Sequence, residues 1–161
     1  MQQLRGFPLS NVHFLSPTPV SSTIEEADVT PDRLSTVLSS VVFDNHVDGD
    51  GDIFVSDGLN SPVWISIDFE RRLLGFFTFY EFANALPCKL APLELLEFVN
   101  NLNRNVIVVQ FGVSDCRLIG HYWMSFDTRV DPRQIVKMLR LFSNVFASTV
   151  GDLQAKLDEY L

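Results

Sequence analysis

The sequence is short of the residues on which several large classes of protein depend. Only 2 of its 161 residues are cysteines and 3 are histidines, and 12 basic residues stand against 20 acidic ones. No apolar run approaches the roughly 18 residues of a membrane-spanning helix. No glycine-rich phosphate loop, GxSxG, HExxH or CxxC motif occurs. A net charge of −8 opposes binding to a phosphate backbone, which depends on lysine and arginine. We therefore expect no membrane span, no nucleic acid partner, no cofactor and no motif-defined enzyme.

The scarcity of cysteine also bears on where the protein works. Residues 1–20 lack the apolar run of a signal peptide, so the sequence predicts a cytoplasmic protein. Cys88 and Cys116 are then expected to be reduced. Because each is isolated among apolar residues, we interpret them as small buried hydrophobic residues and not as nucleophiles.

Apolar residues, in contrast, are abundant. They make up 47% of the chain and include 14 phenylalanines, which is enough to form a hydrophobic core. Residues 1–29 contain Pro8, Pro17 and Pro19 without a sustained period, and we interpret them as an extended N-terminal arm. Residues 30–161 are predicted to form one domain.

The patterns within this domain predict the order αβββαββα. Prolines at positions 31, 92 and 132, each followed by apolar residues at helical spacing, mark the starts of three helices, the first over 31–42. Alternating or aromatic-rich runs predict strands over 53–55, 63–69, 73–82, 106–114 and 116–126. Consecutive antiparallel strands with helices around them indicate an α+β fold.

The stretch HVDGDGDI at 46–53 invites comparison with an EF-hand calcium loop. Asp48, Asp50 and Gly51 fit the third, fifth and sixth loop positions. The two anchoring positions do not fit, because His46 replaces the first aspartate and Asp57 replaces the twelfth-position glutamate. The sequence after the loop is also β-type, whereas an EF-hand continues into a helix.

We therefore favour a helix-to-strand turn, in which glycines supply positive φ and aspartates accept hydrogen bonds from nearby backbone N–H groups. No metal site is favoured, and His46 is interpreted as a solvated turn residue. The alternative is a calcium site that would use clustered carboxylates. Its ligands would be Asp48, Asp50, Asp52 and Asp57.

A family resemblance rests on an ordered set of segments. They are VTPDRLSTVLSSVVF, VDGDGDIFV, WISIDF, LGFFTFY, LELLEFVNNLNRN, VIVVQFGV and HYWMSFDTRVDPRQIVKMLRLF. Over about residues 29–150 the chain resembles the YbjN-like family, bacterial proteins with a fold similar to class I type III secretion chaperones. The resemblance implies a non-enzymatic regulator or chaperone-like module, homodimeric as those chaperones are, that holds an extended segment of another protein. It implies no catalytic residues.

The strands themselves point to a binding surface. Strands 63–69, 73–82 and 116–126 carry apolar residues on both faces, so the second face must also be covered or used. Either the final helix and the arm cover it, or it binds a second copy of the chain or another protein. In the second case we expect these aromatic residues to contribute: Trp64, Phe76, Tyr80 and Trp123. An exposed edge strand would also accept an added strand.

Three functional hypotheses remain, in descending order. They are a homodimeric protein-binding module, a calcium-responsive regulator and an enzyme without a recognisable motif. No sequence motif combines a nucleophile, a base and an orienting acid around any of the three histidines, His13, His46 and His121. The many carboxylates of the chain do not exclude a hydrolase that uses a pair of acidic residues.

Overall fold

The computed structural model describes residues 23–41, 43–81, 92–114 and 117–158. This part of the chain contains three α-helices and eight β-strands. The helices are α1 (Pro31–Ser40), α2 (Pro92–Asn105) and α3 (Pro132–Asp158). The strands are β1 (Ile24–Glu25), β2 (Asn45–Val47), β3 (Ile53–Val55), β4 (Val63–Asp68), β5 (Leu73–Glu81), β6 (Gln110–Ser114), β7 (Arg117–Ser125) and β8 (Arg129–Val130).

Local capping explains where α1 and α3 begin. The Thr30 hydroxyl accepts a hydrogen bond from the backbone N–H of Arg33, and Pro31 occupies the first helical position. At α3 the Asp131 carboxylate accepts the backbone N–H of Arg133 at 2.9 Å. A capping side chain satisfies N–H groups that the first helical turn leaves without partners. Proline at the first helical position removes no intrahelical hydrogen bond. Both starts lie where the sequence predicted them.

Six strands form one sheet in the order β2-β3-β4-β5-β7-β6, and every neighbouring pair is antiparallel. The first three predicted strands correspond to β3, β4 and β5, which pair in consecutive order. The pairing of β5 with β7 runs from Leu73 opposite Ser125 to Glu81 opposite Arg117. This arrangement confirms the α+β class with an antiparallel sheet and helices.

One face of this sheet, the inner face, builds the core. Its buried apolar side chains are Ile53, Val55, Val63, Ile65, Leu74, Phe76, Phe111 and Leu118. From α3, Phe142 lies 6.3 Å from Phe76 and Phe146 lies 6.0 Å from Phe111, between ring centroids. A Cβ at Gly120 would stand 2.5 Å from the Phe146 ring, so glycine there lets α3 approach the sheet closely. Leu34 and Leu38 add α1 to the same core.

Three short strands were not predicted. β1 pairs with β8 as a separate two-stranded sheet, and β2 forms a hairpin with β3. The stretch 48–52 is therefore the turn between two strands, and the predicted helix-to-strand turn was wrong. Segments of two or three residues carry no readable period, because only their partners make them strands.

The domain boundary predicted after residue 29 stays a prediction. Most of the predicted arm lies outside the described residues, but its last part, 23–29, packs on the domain. Ile24 and Val29 are buried in the core, and the N–H of Glu26 donates to the carbonyl of Thr128 at 3.0 Å. Cys88 and Cys116 lie outside the described residues.

Candidate protein-binding surface

The side of the six-stranded sheet opposite the core carries a strip of aromatic rings. We call this side the outer face, and its apolar members are Phe54, Trp64, Leu73, Phe77, Phe79, Ile119 and Trp123. The Trp64 ring centroid lies 4.7 Å from that of Phe54, 5.9 Å from that of Phe77 and 5.2 Å from that of Phe79. The last two pairs are nearly parallel, at 15° and 19°. One connected set of rings therefore spans β3, β4 and β5.

Trp123 extends the outer face onto β7 by lying across a glycine. It is directly opposite Gly75 in the register, and a Cβ built at Gly75 would stand 2.6 Å from both the Trp123 ring and the Ser66 hydroxyl. The indole occupies the space that any larger residue at position 75 would fill. Glycine in the middle of β5 thus permits close contact between a ring and the strand backbone.

The outer face remains partly exposed. Trp123 is 47% exposed and Phe79 is 38% exposed, although both are large and apolar. α1 and α3 pack on the inner face, so the alternative in which the final helix covers the second face was wrong. The N-terminal arm, the other predicted cover, lies outside the described residues over 1–22.

Charged pairs flank the aromatic strip at both ends of the strands. At one end Arg117 bonds Glu81 at 2.8 Å, and its guanidinium carbon lies 5.1 Å from the centre of the Phe79 ring. At the other end Asp68 bonds the Arg71 side chain at 3.0 Å. The Arg71 backbone N–H donates to the Asp68 carboxylate, and this bond is the main cause that lowers the pKa of Asp68. An apolar centre with a polar rim is the usual composition of a protein interface.

The four aromatic residues predicted as one surface lie on two faces. Trp64 and Trp123 are on the outer face, whereas Phe76 is 0% exposed on the inner face against Phe142. Tyr80 is half-buried on the inner side, and its hydroxyl accepts a hydrogen bond from the Gln154 amide on α3 at 2.6 Å. Phe76 and Tyr80 are therefore removed from the candidate surface. Phe77 and Phe79 replace them, because they lie two and four residues after Gly75 on β5 and so point to the outer face.

The two edges of the sheet differ in how open they are. At the β6 edge the Asn103 side chain of α2 accepts the Phe111 N–H at 2.7 Å and donates to the Phe111 carbonyl at 3.0 Å. The amide thus takes the place of a neighbouring strand and closes the centre of this edge. Edge protection of this kind prevents unwanted strand addition. The β2 edge spans only three residues, so neither edge suits capture of a long strand.

In the acidic turn, the carboxylate of Asp48 stabilises the backbone conformation. The Asp48 side chain accepts backbone N–H groups of Asp50 and Asp52, both at 3.0 Å, and Gly51 has φ 87°. Asp57 lies beyond β3, in the next turn, so the predicted ligand set is divided by an extended strand. Burial, followed by repulsion from Asp48 and Asp50, raises the pKa of Asp52. Within the described ranges no group of three or more metal-binding side chains occurs.

The histidines lie apart from one another. His46 is in β2 and not in the turn, exposed, with its ring 5.3 Å from that of Phe54. His121 is half-buried on the outer face, opposite Phe77 in the register. His13 lies outside the described residues. The positions of His46 and His121 make them part of the border of the aromatic strip.

Comparison with known proteins places this fold in a family. The model of the YbjN family, "Putative bacterial sensory transduction regulator", matches residues 30–154. The chain belongs to the YbjN family. It is also similar to the crystal structure of YbjN from E. coli, "a putative transcription regulator", with a TM-score of 0.61. That similarity covers 78% of this chain and 92% of the other at 16% sequence identity, and it shows the fold alone. No curated protein sequence matches the chain.

Membership of the YbjN family confirms the family predicted from the sequence segments. The similarity to type III secretion chaperones stays a prediction. The family description concerns regulation and names no reaction. No described helix is both long and apolar enough to cross a membrane. The outer face is thus a candidate surface on a member of a family described as regulatory.

Proposed function

We propose that this YbjN-family protein is a non-enzymatic regulator that acts by binding other protein chains through its outer face. The observation that carries the proposal is the aromatic strip, in which Trp123 and Phe79 stay substantially exposed in spite of their size. Contiguous apolar patches seldom remain open to water unless they bind something. Tryptophan and other aromatic residues dominate the energetic centres of protein interfaces.

A second copy of the chain is the occupant that we propose first. The six strands contain 35 residues in all. At about 3.3 Å per residue and about 4.8 Å between strands they present about 550 Å² in projection. This is the scale of a standard interface, which buries about 800 Å² of accessible surface on each partner. Two identical outer faces would meet about a two-fold axis, the commonest arrangement of homodimers. An extended segment of another protein would compete for the same rings.

The test is molar mass by light scattering during size-exclusion chromatography over a wide concentration range. We expect a dimer for the natural chain and a monomer for the double variant Phe79→Lys and Trp123→Lys. Leu141→Lys is the matched control, because Leu141 is 39% exposed but lies on α3. It should leave the dimer intact. Circular dichroism should be native for all three proteins. A natural chain that stays monomeric, or a dimer unaffected by the double variant, would contradict the proposal.

The same measurement addresses the calcium hypothesis when it is repeated with calcium and with a chelator. We expect no change in mass, because the Asp48 carboxylate already serves the turn and Asp57 lies beyond β3. A calcium-dependent change in mass that Asp48→Ala abolishes would instead favour the regulator that senses calcium. The cytoplasmic location stays a prediction, which cell fractionation tests.

A further inference from the structure

A separate surface, on the helical side of the sheet, concentrates positive charge in an acidic protein. A groove of about 360 Å³ runs between the end of α1 and the first half of α3. Its lining consists of Val41, Pro132, Arg133, Val136, Lys137 and Arg140. The chain has 12 basic residues and a net charge of −8, yet among the described residues three basic side chains and no carboxylate line this groove. The described side chains that line the groove therefore carry a positive charge, opposite in sign to the net charge of the chain.

The three cations are held in a row. Arg133, Lys137 and Arg140 follow at spacings of four and three on α3, so they share one helix face over about 10 Å. The guanidinium carbon of Arg140 lies 5.3 Å from the centre of the buried Phe43 ring, which positions it at one end. Arg133 and Lys137 are exposed and form no ion pair with any described residue. Their charges are available to a ligand.

The rest of the groove is apolar. Pro132 is buried, and Val41 and Val136 are half-buried, so the groove surface between the cations consists of hydrocarbon. The nearest capping carboxylate, that of Asp131, accepts the N–H of Arg133 and is not part of the lining. A ligand that fills this groove must offer carboxylates to the cations and apolar side chains to the valines.

These features separate a peptide from a nucleic acid. A phosphate backbone is bound through many cations along a surface, whereas this row is short and the remaining charge of the chain is repulsive. A phosphate backbone would also leave the valines without apolar contacts. A peptide that combines acidic and apolar side chains satisfies both parts of the lining, and electrostatic complementarity would also speed its association.

We propose that the groove between α1 and α3 binds an acidic, partly apolar segment of a partner protein. This goes beyond the outer-face function, because the groove lies on the other side of the sheet and uses different residues. A protein that pairs through one surface is thereby left with a second surface for a different chain.

The experiment is a fluorescence anisotropy titration of the full chain with a labelled peptide of alternating glutamate and leucine, about eight residues long so that it exceeds the row of cations. The double variant Arg133→Gln and Lys137→Gln should weaken binding about tenfold, since each exposed pair contributes modestly. Arg104→Gln, an exposed cation on α2, is the matched control and should change nothing. The outer-face variant Trp123→Lys should also bind normally, which separates this inference from the proposed function.

Two further ligands make the test specific. A peptide in which serine replaces every leucine should bind more weakly, because the valines lose their apolar partner. A labelled DNA duplex should bind more weakly than the glutamate and leucine peptide at the same salt concentration. Absence of peptide binding, equal binding by the double variant, or DNA binding as tight as that of the peptide would overturn the proposal.

Discussion

Replacing Gly75 with alanine is expected to lift the Trp123 ring off the sheet while leaving the core intact. The new methyl group would point to the outer face, where the ring and the Ser66 hydroxyl each stand 2.6 Å from its position. A methyl carbon does not tolerate that separation from a non-bonded heavy atom, so one of the groups must move. Trp123 is 47% exposed, so the indole can rotate outward more easily than the backbone of β5 can shift.

The size of the effect follows from the area that the ring now covers. About half of the Trp123 side chain is buried, which corresponds to roughly 125 Å² for a residue that can bury up to about 250 Å². At about 25 cal/mol per Å², full release would cost about 3 kcal/mol. A rotated ring keeps part of its contact, and alanine is favoured over glycine in a strand by about 0.5 kcal/mol. We expect the free energy of unfolding to fall by about 1 to 2 kcal/mol.

Urea unfolding followed by tryptophan fluorescence measures this change, at one protein concentration because association affects stability. The chain has only 2 tryptophans, so a red shift in the folded state reports exposure of Trp123. Gly112→Ala is the matched control, because Gly112 is also on the outer face but has nothing within 4 Å of its Cβ position. It should be neutral or slightly stabilising. Equal stability and unchanged emission for the Gly75 variant would refute the reasoning.

Four further outcomes are expected. Thr78 is fully buried and its hydroxyl has no hydrogen-bond partner in the described part of the chain, so Thr78→Val should raise the free energy of unfolding, measured with urea, by about 1 kcal/mol. Thr149→Val should lower it, because that hydroxyl donates to the Val145 carbonyl. Burial and neighbouring carboxylates raise the pKa of Asp52 in the fold, so its charge costs stability above that pKa and the cost disappears as pH falls through it. Asp52→Asn should therefore stabilise the fold at neutral pH by about a few tenths of a kcal/mol. Thermal unfolding measured at acidic pH should show no such difference between the two proteins. Asn103→Ala should increase concentration-dependent aggregation in light scattering, because it uncovers the β6 edge; unchanged scattering would contradict this.

The sequence predicted the longer elements well because their signals are local. Proline at the first helical position and a capping Thr30 mark α1 without reference to any other element. The alternation of residues 63–68 and the aromatic run 73–81 likewise identify β4 and β5. The short strands β1, β2 and β8 left no such signal. Ile24, for example, becomes a strand residue only by pairing with Val130.

The sequence alone determined the kind of protein: an acidic α+β domain, a YbjN-family pattern, and strands with two apolar faces. Only the tertiary structure decided which face is covered. Phe76 and Phe77 are equally apolar in the sequence, yet α3 buries the first and leaves the second on the outer face. Alternation shows that neighbouring side chains point in opposite directions. It carries no information on where α3, which begins at Pro132, will pack. The groove beside the cations of α3 also depends on tertiary packing, because Val41 lines it only when α1 packs against α3.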